Sequence, residues 1–201
     1  LEGTQSIGVQ PCTEDGTARF GVIDVDPHNY DEFDKKFFID VIQQYKLPLI
    51  PVLSKSGGLH LYIFMTEFVP AALIKSFLSN LLPLFKLKPD CEIFPKQTQL
   101  TKDNETGQLN KGNFINLPYF KKEQRVAINL DGTAFNFDQF VQVLESNIVS
   151  GDDLKTITES IEQQDMEGVD DEFTEGPPCL AKLSTIMKDP AFDGKDRYLL
   201  R

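Results

Sequence analysis

Cysteine is scarce in this 201-residue chain. Cys12, Cys91 and Cys179 are odd in number and far apart, which excludes a disulfide scaffold or a metal knuckle and fits a reducing compartment. Histidine is scarcer, with His28 and His60 only. No apolar run approaches the ~18–20 residues of a membrane span, and the N-terminus lacks the charged-then-apolar pattern of a secretory signal. No internal repeat is evident. A basic excess is missing too: 31 acidic residues against 20 basic ones leave a net charge of −11. Spread evenly, that charge would argue against a nucleic-acid partner, because phosphate contacts need Lys and Arg.

What is present is the composition of a soluble globular protein, 40% hydrophobic and 25% charged. Its length suits one large domain, or one and a half smaller ones, with a real core. The charge is not evenly spread. Residues 151–176 hold ten acids and one base, Lys155, for a net of −9, and close on Gly176-Pro177-Pro178. This stretch reads as a solvated linker, helical in part, and not a core element. Residues 46–125 hold eleven Lys/Arg and six Asp/Glu, a net of +5. The acidic total hides a mildly basic centre.

Residues 1–17 are polar and turn-like, and a chain starting on Leu1 rather than Met suggests a piece of something longer. Residues 18–26 end in alternating apolar and acidic positions, a strand pattern. Phe33, Phe37, Phe38, Val41, Ile42 and Tyr45 fall at helical spacing over residues 30–45. Residues 49–53 and 59–65 read as strands joined by the turn Ser54-Lys55-Ser56-Gly57-Gly58. Residues 70–85 form a second helix with Pro70 in its first turn and Leu73, Phe77, Leu78, Leu81 and Leu82 as its stripe. Short strands follow at 91–94 and 113–117, separated by a polar loop. A third helix at 136–147 has Phe137, Phe140, Val141 and Leu144 on one side. Residues 178–188 and the last residues look helical. The order is that of an α+β domain with helices on one or both faces of a mixed sheet.

Three motifs carry chemistry. Asp24 and Asp26 (Ile-Asp-Val-Asp) sit at i and i+2 on a strand, on one face and roughly 7 Å apart. Two such anions repel unless a cation lies between them, and Mg²⁺ or Mn²⁺ favours carboxylates plus substrate phosphates. The competing reading is a strand end leading into Pro27. In Ser54–Gly58 followed by His60, paired glycines admit an anion to backbone N–H groups, and Ser56, Lys55 and His60 add donors. The competing reading is a glycine hairpin with one buried, hydrogen-bonded histidine; His28, in a turn after Asp26, has the weaker claim. Third, Asp90-Cys91-Glu92-Ile93-Phe94-Pro95-Lys96-Gln97 precedes Gly112-Asn113-Phe114-Ile115-Asn116-Leu117-Pro118. Glu92 is a possible third carboxylate, and Lys96 and Gln97 are possible phosphate or base contacts; otherwise Glu92 and Lys96 are surface charges.

In this order, the motifs resemble the archaeo-eukaryotic primase superfamily, in particular the primase–polymerase domains of phages, plasmids and mobile elements. The resemblance covers residues 18–125 well and the rest more loosely. It implies a mixed-sheet, RRM-like catalytic core with flanking helices over residues 1–150, an acidic linker at 151–176 and the start of a helical module at 177–201. It implies template-directed nucleotidyl transfer, with Asp24, Asp26 and Glu92 holding two divalent ions, Mg²⁺ or Mn²⁺, roughly 4 Å apart. Asp90 is the alternative third acid. His60, Ser56 and the Gly57-Gly58 backbone would bind the incoming triphosphate, with Lys55 and Lys96 as cationic partners. Gln97 and Asn116 would line the nucleotide or template side. The implied partners are a single-stranded DNA template, dNTPs or NTPs and a helicase domain or protein. The implied setting is the cytoplasm of a bacterium or phage-infected host, with no membrane. A metal-dependent nuclease suits the carboxylates but leaves the Ser-Gly-Gly-x-His anion cradle without a purpose; a non-catalytic nucleic-acid-binding module would not need the intact set.

Overall fold

The computed structural model describes residues 7–30, 32–102, 106, 108–110, 112–119 and 125–167. The chain divides into two units, Leu1–Glu159 and Ser160–Arg201, and the site lies in the first.

In chain order the elements are β1 (Gly8–Val9), β2 (Thr17–Val25), a short 3-10 turn (Pro27–Asn29), α1 (Lys35–Gln44), β3 (Ile50–Leu53) and β4 (Leu59–Pro70). They continue with α2 (Ala71–Leu81), β5 (Glu92–Phe94), β6 (Ile115–Asn116), α3 (Phe137–Asn147) and α4 (Gly151–Glu167). Strands β3, β4, β2 and β5 form a four-stranded sheet in that order, with every pairing antiparallel. Strands β1 and β6 make a separate two-stranded sheet. This is the α+β architecture the element order predicts.

Alternation along β2 sends its residues to two different environments. Val22 joins Ile50, Val52, Tyr62, Phe94, Ile115, Ala127 and Phe140 in one buried cluster. On the other face, Ile74 and Leu78 of α2 close directly over Gly21. Helix α2 buries Ala71, Ile74, Phe77, Leu78 and Leu81, so the stripe includes Ile74 and leaves Leu73 partly exposed. Its register is set by Pro70, which occupies the cap position just ahead of the helix. Phe38 of α1 stacks on Phe85, with ring centroids 5.5 Å apart. Helix α3 is held by a reciprocal Asn136–Gln139 capping box and delivers Phe140 to the cluster, while Phe137 is exposed.

Strand β4 runs to Pro70, past the expected residue 65, and α2 ends at Leu81, short of residue 85; three further differences from the sequence reading have identifiable reasons. Helix α1 starts at Lys35 and not at residue 30, because Pro27 opens a 3-10 turn and the Asp34 carboxylate accepts from Lys36 N. Strand β1 arises in the stretch read as turns; its partners, Asn116 and Ile115, lie about a hundred residues away and leave no local signal. The acidic stretch begins as α4 and contributes Leu154 to the interior. Ser150 and Asp153 cap it reciprocally, and Asp152 and Asp153 suit the positive end of the helix dipole. Glu67 also accepts from Gly151 N at 2.9 Å. Residues 168–176 of the expected linker and the expected helical module at 177–201 lie outside the described residues.

Candidate active site

Sheet register brings the motif residues together. Asp24 of β2 pairs with His60 of β4 on one side and with Glu92 of β5 on the other, and His60 pairs with Val52 of β3. Residues opposite one another in antiparallel strands share a face, and neighbouring strands lie about 4.8 Å apart. One cross-strand row therefore reads Val52, His60, Asp24, Glu92. The next row, Ile50, Tyr62, Val22 and Phe94, belongs to the buried cluster. The sheet face changes from apolar to polar within one step of the strand period.

A cleft of about 840 Å³ opens at that step. Asp24, Asp26, His60, Glu92, Ser56, Lys55 and Lys96 all line it. Asp26 reaches it from a different local structure than expected. It lies one residue beyond β2 and caps the 3-10 turn, with its Oδ1 accepting from His28 N at 3.1 Å. Pro27 lacks the N–H that a continuing strand would use and suits the first position of a helical turn. Asp90 is absent from the cleft lining, and Glu92 is the residue opposite Asp24.

His60 Nε2 lies 3.2 Å from Asp24 Oδ1, with both side chains largely shielded. The other ring nitrogen, Nδ1, is buried and has no hydrogen-bond partner among the described residues. A buried polar atom of this kind costs about 1–3 kcal/mol and is rare in folded proteins. Lys96 Nζ donates to Glu92 Oε1 at 2.6 Å and lies over the Phe94 ring.

Gly57, Gly58 and Gln97 do not line the cleft. The expected backbone anion cradle is corrected here, because the turn consumes its own amides. Gly57 N donates to Ser54 O at 3.2 Å and Gly58 N to Ser54 Oγ at 3.0 Å. Gly57 is needed for its φ of +90°. Gly58 is needed for close approach, since a Cβ there would stand 2.0 Å from Val25 O and 2.7 Å from Pro27 Cδ. The pair thus seats the hairpin against the segment that carries Asp26. Gln97 bonds through its side-chain amide to Asn113, on both its side chain and its backbone N, and so holds the facing wall.

That wall also contains what the motifs did not show. Arg125, 9% exposed and in a left-handed backbone conformation (φ 57°), lines the cleft together with Asn113, Phe114 and Asn116. An arginine this buried is uncommon unless it is paired. Its only trace in the sequence is a charge directly before the apolar run Val126–Ile128. Tyr62 OH donates to Asn116 O at 2.9 Å, tying β6 to the central sheet. Burial, reinforced by the Asp24 charge, pushes the Tyr62 hydroxyl well above its ordinary value, so it stays a neutral donor. Tyr62→Phe should therefore cost about 1 kcal/mol, read as a lower urea midpoint at unchanged slope.

The donor set fits a divalent ion completed by substrate. Among the described residues, no three His, Cys, Asp or Glu side chains converge as a ready-made metal cage. Asp24 and Asp26 nonetheless face one cleft with Lys55, Lys96 and Arg125. Mg²⁺ is commonly held by one or two carboxylates plus substrate phosphates, not by a cage made entirely of protein. Carboxylates alone would repel a polyphosphate, and cations alone would hold no metal. Their mixture suits a metal–polyphosphate ligand. Cys12 and Cys91 are free thiols whose burial pushes both up.

Residues 1–155 match the family described as "TOTE conflict system, Archaeo-Eukaryotic Primase domain". No curated protein matches the chain.

Proposed function

The chain belongs to the TOTE-conflict-system family of archaeo-eukaryotic primase domains, and from that premise we propose that its cleft performs template-directed nucleotidyl transfer as a DNA primase–polymerase. The family is of nucleotidyltransferase type, with nucleotides and nucleic acid as substrates. The finer reading rests on one observation: the row His60, Asp24, Glu92 opens, with Asp26, into a cleft that also carries three cationic side chains.

Asp24 and Asp26, with Glu92, would hold Mg²⁺ or Mn²⁺, which when bound activates the primer 3′-hydroxyl and neutralises charge on the leaving pyrophosphate. The chain's own groups position the reactants. His60 fixes the Asp24 carboxylate, Ser56 and Lys55 on the hairpin and Arg125 on the facing wall bind phosphate oxygens, and Lys96 restrains Glu92. With charge neutralisation, such positioning supplies most of the catalysis in phosphoryl transfer. The chain organisation proposed with it is a catalytic region over 1–150, an acidic segment at 151–176 and a helical module from 177, with a helicase domain or protein as partner. No helix among the described residues is long and apolar enough to cross a membrane.

With Lys55 on phosphate and Lys96 engaged with Glu92, Lys55→Ala should flatten the log–log salt dependence of single-strand binding by about 0.7 and Lys96→Ala should leave it nearly unchanged. Binding titrations at several salt concentrations check this.

A second reading, metal-dependent DNA cleavage, gains from the committed Gly57 and Gly58 amides. An anion cradle there was the feature a nuclease left unexplained. End-labelled single-stranded DNA incubated with Mn²⁺, with and without dNTPs, separates the two. Transfer lengthens the label only when dNTPs are present, and cleavage shortens it regardless.

A further inference from the structure

Phe114 is 64% exposed, yet it lines the cleft that holds the carboxylates. Scattered apolar residues on a protein surface are ordinary; this exposed ring instead lines a cleft beside carboxylates and cations. Among the described residues, the other two strongly exposed phenylalanines have partners: the Arg19 guanidinium lies over the Phe68 ring, and Phe137 packs edge-on against Tyr119. Phe114 makes no aromatic or cation–π contact among the described residues.

Its backbone is fixed from both sides. Gly112 N donates to Gln10 Oε1 at 2.8 Å and Asn113 N to Gln97 Oε1 at 3.0 Å, while Asn116 O accepts from Tyr62 OH. Beneath the ring is Gly8, where a Cβ would stand 2.4 Å from Phe114 Cδ2. The ring therefore lies against bare backbone of β1, remains largely exposed and lines the cleft. This arrangement uses β1 and β6, the small sheet whose Ile115 and Asn116 also line the cleft.

Resting on the reading of the cleft as a nucleotidyl-transfer site, we propose that Phe114 is a nucleobase platform. Its ring stacks on a base while the cleft cations hold phosphate. Every base offers a π-face, so such a platform gives affinity without sequence readout, and stacking of this kind typically contributes about five- to 150-fold in binding. The base belongs either to the template strand or to the incoming nucleotide.

The test compares the full chain with Phe114→Ala, Phe114→Leu and Phe114→Trp in two arms. One measures anisotropy of a labelled oligothymidine and of an abasic oligonucleotide of equal length. The other measures KM for a dNTP in single-nucleotide incorporation. A template platform predicts that wild-type protein prefers the base-bearing strand about tenfold, that Ala and Leu erase the preference, and that Trp keeps it. A nucleotide platform predicts instead a KM about tenfold higher in Ala and Leu and unchanged in Trp. Phe114→Leu matching wild type in both arms overturns the proposal and leaves nucleotidyl transfer intact. A wild type that binds the base-bearing strand selectively but incorporates nothing overturns transfer and leaves the template platform standing.

Discussion

Asp24→Asn should lower nucleotide incorporation about a thousandfold while the protein stays folded. Asp24 stands in the middle of the polar row, opposite His60 and Glu92, and faces the cleft. Asparagine has nearly the same shape and keeps an oxygen toward His60 Nε2, so the row survives. What it removes is the negative charge. Loss of one preorganised electrostatic partner at a reacting centre costs about a hundred- to a thousandfold, and a carboxylate proposed to hold the catalytic cation belongs at the upper end. Stability should change by no more than about 1 kcal/mol, because the side chain lies at the cleft edge and not in the apolar cluster. Primer-extension rates and thermal unfolding of the same preparation check both halves. A variant that retains a tenth or more of the rate would remove Asp24 from the chemistry.

Gly58→Ala should damage stability and activity together. The added methyl would fall 2.0 Å from Val25 O, a backbone atom that cannot rotate away. Either the hairpin or the end of β2 must move, and the residue after Val25 is Asp26. Forcing an atom into a packed site costs about 1–3 kcal/mol, which for a chain of this size is a drop of about 2–12 °C in Tm. A displacement near 1 Å at a catalytic group costs about a hundredfold in rate. Gly57→Ala supplies the contrast. Its Cβ would meet nothing within 4 Å, so only the positive φ is strained, and the loss of incorporation should be far smaller. Equal losses in the two variants would mean that the turn contributes its shape and not its contact with β2.

The elements legible in the sequence are those whose partners are local. Alternation at its end marks β2, an apolar run after a glycine turn marks β4, the 3.6 period marks α2 and α3, and the Ser54–Gly58 turn fixes how β3 meets β4. Register between β2 and β5 is non-local, so the motifs alone left Glu92 and Asp90 both open; the pairing puts Glu92 opposite Asp24. The same non-locality hid β1 and the Phe114 wall. Strand period and the glycine turn put Asp24 and His60 on one face, whereas Asp26 reaches the same cleft from the 3-10 turn beyond β2, which the strand pattern did not reveal. The Gly57-Gly58 pair was legible as a turn, but the destination of its amides depended on Ser54 Oγ, which spacing does not reveal. Arg125 carried no motif, since its place in the cleft follows from tertiary packing. Net charge was the least informative feature. Part of the acidic stretch is a capped helix, and the cleft itself mixes both signs.

The most direct measurement uses four primed single-stranded templates that differ only in the first unpaired base, each offered the four dNTPs singly with Mg²⁺ or Mn²⁺. Template-directed transfer predicts extension by one nucleotide with the complementary dNTP in each case, lost in Asp24→Asn. Addition that ignores the template base, or shortening of the labelled strand without extension, would contradict it.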